Sequence, residues 1–282
     1  MSTERVSPTA YMTGHFWYLN GMSHRGLTTP QGRALHWLFR PAIVGTRLLS
    51  GMSLDALMLA RHRGIDGQLA AAIEDGRVRQ VIEIAAGMSP RGWRFMRRYG
   101  DRIRYIETDL PHMAATKKQQ LQRAGLLTTG HQVLELDALA DGGPNSLAAL
   151  AGTLDPKLGT AIVTEGLMSY FPPEDAYRVW RNIAKTLQGF PYGVYLTDMY
   201  LRRDHQNSRV ADAFSTLLGK FVRGRIHVHF DTEETAIQTL RPMGFKQVLL
   251  HPTRTLPATR DIAHIRGADT VCVLEAVAKA KA

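Results

Sequence analysis

Seven short runs rich in β-branched residues, separated by stretches that can form helices, constrain this chain more than any other feature. The runs are RQVIEI (79–84), IRYIET (103–108), HQVLEL (131–136), TAIVTE (160–165), YGVYLTD (192–198), KQVLLH (246–251) and TVCVLEAV (270–277). Helix-compatible stretches lie between them at 112–124, 145–152, 173–187 and 231–241. The stretch at 173–187 has a proline pair, Pro172-Pro173, at its start and carries Glu174 and Asp175 in its first turn, as a helix N-terminus prefers. The one at 231–241 opens D-T-E-E, an acidic start of the same kind. This alternation predicts an α/β fold: one open, doubly wound sheet whose strands are joined by crossover helices. No repeat, low-complexity tract or linker divides it, so residues 1–282 read as a single domain.

Two segments stand outside the alternation. Residues 1–78 precede the first strand, hold aromatics, glycines and two helix-like stretches, and read as an N-terminal helical cap on a core of residues 79–282. Residues 199–230 form a long insertion after the fifth strand, and long connections in compact domains tend to be lids or binding loops. From 201 to 230 the insertion carries Arg202, Arg203, His205, Arg209, Lys220, Arg223, Arg225, His227 and His229 against only Asp204 and Asp212. Arg223 and Arg225 are candidate contacts for an anionic substrate. Trp17, Tyr18 and Tyr170 are aromatic candidates for lining its pocket.

The strand ends carry the chemistry. The first run ends at Glu83 and turns through Ala85-Ala86-Gly87. If Gly87 takes the middle place of a G-x-G-x-x-G loop, the flanking places hold Ala85 and Pro90, which is wrong for a dinucleotide. The second run ends ETDLP, which sets Glu107 and Asp109 about 20 residues past the turn, where an acid accepts hydrogen bonds from ribose hydroxyls. The third ends at Asp137 and the fourth at Glu165. An edge lined with carboxylates is hostile to a pyrophosphate, which wants backbone amides and no nearby anions. It suits a cofactor with a ribose, a net cation and no phosphate, and S-adenosyl-L-methionine has those parts.

Composition adds bounds. Lys and Arg number 35 against 25 Asp and Glu, a net charge of +10 that favours anionic partners without naming one. The one cysteine, Cys272, sits in an apolar run and reads as a buried, inert thiol that fits a reducing cytoplasm. No apolar run reaches 18 residues and the N-terminus has no signal-like stretch, so neither a membrane partner nor a membrane span is expected. His227 and His229 have alternate-strand spacing, but two histidines without a third ligand do not make a metal site, and none is expected. Oligomeric state is not legible.

The segments LARHRGIDGQL (59–69), VIEIAAGMSPRGWRF (81–95), YIETDLPHMAATKKQQL (105–121) and IVTEGLMSYF (162–171), in this order and spacing, resemble the leucine carboxyl methyltransferase family. The likeness runs from about residue 59 to the C-terminus and is strongest to the bacterial branch that includes polyketide O-methyltransferases. It implies a class I methyltransferase fold, Rossmann-like, with seven strands and the last antiparallel. It also implies S-adenosyl-L-methionine as cofactor and S-adenosyl-L-homocysteine as product. In the family's pattern Arg61 pairs with the cofactor carboxylate, with Arg63 a rival in the same segment. The backbone around Ala85 and Gly87 lies against the methionine portion, and Glu83 is counted among the cofactor-binding residues. Asp109, with Leu110 beside it, takes the ribose hydroxyls; Asp137 and Ala138 border the adenine; Glu165 meets the methionine end. The chain departs from the pattern at Ser89, where the family has an acid, and at Ala85, where it has its first glycine. The implied function is O-methylation of a small anionic metabolite, on a carboxylate or a hydroxyl, in secondary metabolism. The alternatives are an RNA- or tRNA-modifying methyltransferase, for which no RNA-binding appendage is visible, and a non-catalytic cofactor-binding protein.

Overall fold

A computed structural model describes residues 8–202 and 227–279. All seven runs form strands of one sheet: β1 (Gln80–Ile84), β2 (Arg104–Asp109), β3 (His131–Glu135), β4 (Thr160–Thr164), β5 (Gly193–Met199), β6 (Gln247–Pro252) and β7 (Cys272–Lys279). Their order across the sheet is β3-β2-β1-β4-β5-β7-β6. The pairs β1–β2, β2–β3 and β4–β5 are parallel, while β7 runs antiparallel to both β5 and β6. Seven strands in one sheet were expected from the alternation, and the reversed last strand from the family resemblance.

Burial follows position in this order. Every residue of β1, β4 and β5 is buried, as strands covered on both faces require. At the sheet edges, β3 and β6 instead alternate between buried and more exposed positions. Their sequences alternate for the same reason.

Among the described residues the helices are α1 (Pro8–Leu19), α2 (Pro30–Ser50), α3 (Leu54–Glu74), α4 (Arg91–Tyr99), α5 (Pro111–Arg123), α6 (Leu147–Ala151), α7 (Pro173–Leu187) and α8 (Glu233–Leu240). The segment before the first strand therefore holds three helices where two were expected. Helix α2 runs through Gly32, Pro41 and Gly45, residues that interrupt a helical reading of the sequence. Cys272 also differs from expectation, being only half-buried at the start of β7. Residues 203–226, which hold most of the expected lid together with Arg223 and Arg225, lie outside the described residues. At the margins of that insertion Leu201 bridges Phe230, and Arg202 Nε lies 2.8 Å from Asp231.

The chain divides into two compact units, residues 1–41 with 79–154, and residues 42–78 with 155–282. In the first, Tyr11 of α1, Leu27, Met88, Met113, Leu121 and Val133 form a shared apolar cluster. The N-terminal helix is thus part of this unit's core. In the second, Ala56 and Ala60 of α3 join Ile262, Ala268 and Val271. Ser53 starts α3 by accepting a hydrogen bond from the Ala56 amide, a side-chain cap for an otherwise orphaned donor.

Candidate active site

In the first unit the chemistry gathers at the carboxyl ends of β1 and β2. The chain leaves β1 through Ala85 and Gly87, with φ of 54° and 49°. Glycine adopts that region freely, whereas alanine pays for it. The turn is tied back to β2 where the Ala86 amide donates to Thr108 O at 2.9 Å. Asp109 closes β2, and Pro111 immediately opens α5 at the position where proline's missing N–H costs nothing. That accounts for the sequence DLP.

The Asp109 carboxylate is held by two backbone amides. Gly87 donates to Oδ2 at 2.7 Å and Leu110 donates to Oδ1 at 2.8 Å. Burial raises the pKa of Asp109 above the ordinary aspartate value, and these two bonds only partly offset it. Each carboxylate oxygen has a further lone pair to offer. The group is half-buried, so a ligand can reach it. Farther along, Asp137 is exposed just past the end of β3, where its Oδ1 accepts from the Leu139 amide at 2.9 Å; Ala138 is half-buried beside it.

Glu83 corrects the sequence reading. It is not at an open edge: it is 1% exposed, with Arg91 2.6 Å from Oε1 and the Tyr105 hydroxyl donating to Oε2 at 2.8 Å. Parallel register sets Glu83 beside Glu107, and Glu107 is spent in the same way. Lys117 Nζ lies 2.7 Å from its Oε1 and His131 Nε2 3.0 Å from its Oε2. Two neighbouring buried carboxylates thus receive an arginine, a lysine, a tyrosine and a histidine. This keeps them paired, as buried charges require. Burial works against the charge of Glu107, but Lys117 and His131 outweigh it and hold its pKa below the usual range. Glycine is needed at 92 because a Cβ there would stand 2.6 Å from the Glu107 carboxyl carbon. Lys117 also reaches the Ala86 carbonyl at 3.5 Å, which ties this network to the turn after β1.

In the second unit a different cluster forms where α3 meets the ends of β4 and β5. Arg61 Nε donates to Glu165 Oε1 at 3.0 Å, and Nη1 lies 3.6 Å from Asp198 and 3.5 Å from the Tyr200 hydroxyl. His62, fully buried, meets Glu165 Oε2 at 2.7 Å, with Asp66 3.7 Å from its other ring nitrogen. The Gly166 amide donates to Asp198 Oδ1 at 2.7 Å. Burial disfavours charge on Arg61, yet Tyr200, Glu165 and Asp198 together raise its pKa, so it stays cationic. Burial raises the pKa of Asp198 against the pull of Arg61 and Gly166. Arg63, the rival, instead points to the surface and grips both oxygens of the exposed Asp261 at 3.0 and 2.8 Å. Arg61 is therefore the arginine at the strand ends.

The aromatic candidates fall differently. Trp17 is 2% exposed and forms part of a core, Tyr18 is 41% exposed, and Tyr170 is half-buried on the short turn after β4. His229 Nε2 meets the Met168 carbonyl at 2.9 Å, and burial lowers its pKa. His62, Asp198 and Tyr200 were not singled out from sequence. Asp198 had a visible signal, since LTDM ends the fifth run in an acid just as the earlier runs end.

Comparison with known proteins bears on the family and the fold. The sequence profile described as leucine carboxyl methyltransferase matches residues 40–184, just over half of the chain. A protein of Mycobacterium avium, named as a candidate S-adenosyl-L-methionine-dependent methyltransferase, is 33% identical over 45% of this chain and 40% of its own length. Leucine carboxyl methyltransferase 1 of Cryptococcus neoformans is 26% identical over 44% of this chain and 46% of its own. The matched stretches thus span less than half the length of these curated relatives. Among solved structures, a candidate methyltransferase from Thermobifida fusca superposes with a TM-score of 0.65 at 13% identity, covering 97% of this chain and 94% of that one. A candidate O-methyltransferase from Nostoc punctiforme gives 0.55 at 15% identity, over 87% and 72%. At these identities the likeness establishes the fold, the class I methyltransferase sheet.

Proposed function

The chain belongs to the leucine carboxyl methyltransferase family, and from that premise we propose that it is an S-adenosyl-L-methionine-dependent O-methyltransferase acting on a small anionic acceptor. The observation that carries the reading is Asp109, a half-buried carboxylate held by two backbone amides with an acceptor position left on each oxygen. That is the acceptor pair a vicinal diol needs, and the same geometry gives no welcome to a phosphate.

The residues fit the cofactor's other parts as well. On the family's pattern Arg61 would meet the amino-acid carboxylate of S-adenosyl-L-methionine. Two carboxylates beside one guanidinium favour an additional cation, as the cofactor's ammonium is. Asp137 and Ala138 would border the adenine, and the backbone from Ala85 to Gly87 the methionine portion. When bound, the cofactor supplies an electrophilic methyl on a sulfonium, and its chemistry drives the transfer. The protein's share is positioning and exclusion of water from the acceptor oxygen. Glu165, fixed on both oxygens by Arg61 and His62, would present a preset orientation to the methionine end.

A carboxylate is the favoured acceptor because it is already ionised at neutral pH and needs no base to remove a proton. A hydroxyl on an acidic metabolite is second. The basic excess of the insertion supports an anionic acceptor, since excess positive charge raises the local concentration of anions. Replacing Arg223 and Arg225 with Gln should raise the acceptor's KM and leave cofactor affinity nearly unchanged. The test is a radiolabelled methyl-transfer screen against carboxylic acids, phenols and bulk tRNA. Base-labile label in a carboxylic acid is the expected result. Base-stable label confined to tRNA would falsify the small-molecule reading.

A further inference from the structure

We propose that helix α2 docks along an anionic lipid bilayer. The outward side of this helix is apolar to an unusual degree: Trp37 is 60% exposed, Leu38 71%, Val44 40%, Leu48 80% and Leu49 83%. Ala34 and Pro41 are exposed as well. At 100° per residue, positions 34, 37, 38, 41, 44, 45 and 48 form one stripe along the helix. The opposite side carries the helix on the protein, with Gly32 and His36 buried and Phe39 and Ile43 half-buried. There α1 comes so close that a Cβ on Gly32 would overlap the Tyr11 carbonyl, and the His36 and His15 rings lie 5.4 Å apart. The apolar stripe is therefore not this helix's core-facing side.

Charge decides what the stripe fits. Arg33, Arg40 and Arg47 recur every seven residues and so line one edge of it. No Asp or Glu occurs anywhere from Arg5 to Leu54. A helix with arginines along its polar edge and Trp and Leu on the adjoining face lies in a membrane interface, with its apolar residues among the acyl chains and its cations at anionic headgroups. A second copy of the chain fits less well. In an antiparallel twofold pair, the two arginine edges fall on the same side, and the helix has no acid to answer them. A bilayer bearing negative headgroups answers the exposed Arg33 and Arg47. Tyr18 and Leu19 at the end of α1, 41% and 49% exposed, add to the apolar surface on the same part of the chain.

The experiment is sedimentation of the full chain with sonicated vesicles of phosphatidylcholine alone or mixed with phosphatidylglycerol. Tryptophan emission and light scattering are recorded alongside. The expected result is uptake on the anionic vesicles at least about tenfold above the neutral ones, with a blue shift that the Trp37→Ala variant loses. Raising salt from about 0.05 M to about 0.5 M should remove most of the binding. Replacing Leu48 and Leu49 together with Ser should lower uptake by about tenfold or more. Replacing Arg33 and Arg47 with Gln should bring anionic uptake down toward the neutral level. These side chains are exposed, so both double variants should melt with the parent; if the serine pair does not, the arginine pair alone decides. Equal uptake on both vesicle types, or uptake that neither double variant lowers, overturns the proposal. So does a dimer in light scattering that the serine pair converts to monomer while vesicles stay bare, since the stripe then joins two copies.

Discussion

Asp109 meets two opposed demands. Its carboxylate must be charged to accept from two hydroxyls, yet burial favours the neutral acid and raises its pKa despite the Gly87 and Leu110 amides. The carboxylate is ionised above that raised value and protonated below it. Cofactor affinity should therefore hold at neutral pH and fall on acidification, starting at a higher pH than an ordinary aspartate would set. Affinity for S-adenosyl-L-homocysteine measured across pH tests this, and Asp109→Asn should flatten that limb of the profile. Ala85 invites a second test. An alanine at φ 54° costs roughly 1–2 kcal/mol. Glycine there would relieve that and give back roughly 0.5–1 kcal/mol in chain entropy. Ala85→Gly should thus raise unfolding stability by about 0.5–1 kcal/mol in a denaturant titration. A loss of stability would mean that the methyl group makes contacts worth more than the strain.

At the scale of elements, the ion network joining β1, β2, β3, α4 and α5 stabilises the sheet end beneath the cofactor turn. Lys117→Met should cost about 3–5 kcal/mol, because it leaves Glu107 buried without its strongest partner. Adding Glu107→Gln should recover part of that loss, and chemical denaturation of the two variants measures both. The lowered pKa of Glu107 fixes the pH dependence. Its contribution is present above the ordinary carboxylate range and is lost only as pH falls through the lowered value. This network also marks how far the sequence could be read. Strands and crossover helices were legible because β-branched runs, prolines at helix starts and acidic first turns are local signals. Asp109 and Glu165 were legible because they end runs. Glu83 was not, since an acid in such a run can cap an edge or be buried, and only its partners decide. Those partners, Arg91 and Tyr105, lie 8 and 22 residues away with no periodic relation to it. The choice of Arg61 over Arg63 was equally a matter of tertiary placement: two residues on a helix face different ways, one to the strand ends and one to Asp261. The third N-terminal helix was hidden because Pro41 and two glycines lie inside a helix that the surrounding residues nonetheless sustain.

Across the whole molecule, a net charge of +10 coexists with carboxylates at strand ends of both units. The basic surface and the acidic strand ends suit different partners: anions for the first, and a cationic, phosphate-free cofactor for the second. Among the described residues no single helix is long and apolar enough to cross a membrane. The account stands on cofactor recognition by the strand-end acids. Its most direct test is calorimetric titration of S-adenosyl-L-homocysteine into the parent protein, Asp109→Ala and Arg63→Gln. Removing the Asp109 carboxylate should weaken binding by about 1.5–3 kcal/mol, the worth of hydrogen bonds to a charged group. Arg63→Gln, which touches only the surface pair with Asp261, should bind as the parent does. Equal affinity of the parent and Asp109→Ala, or no measurable binding by the parent, would contradict the account.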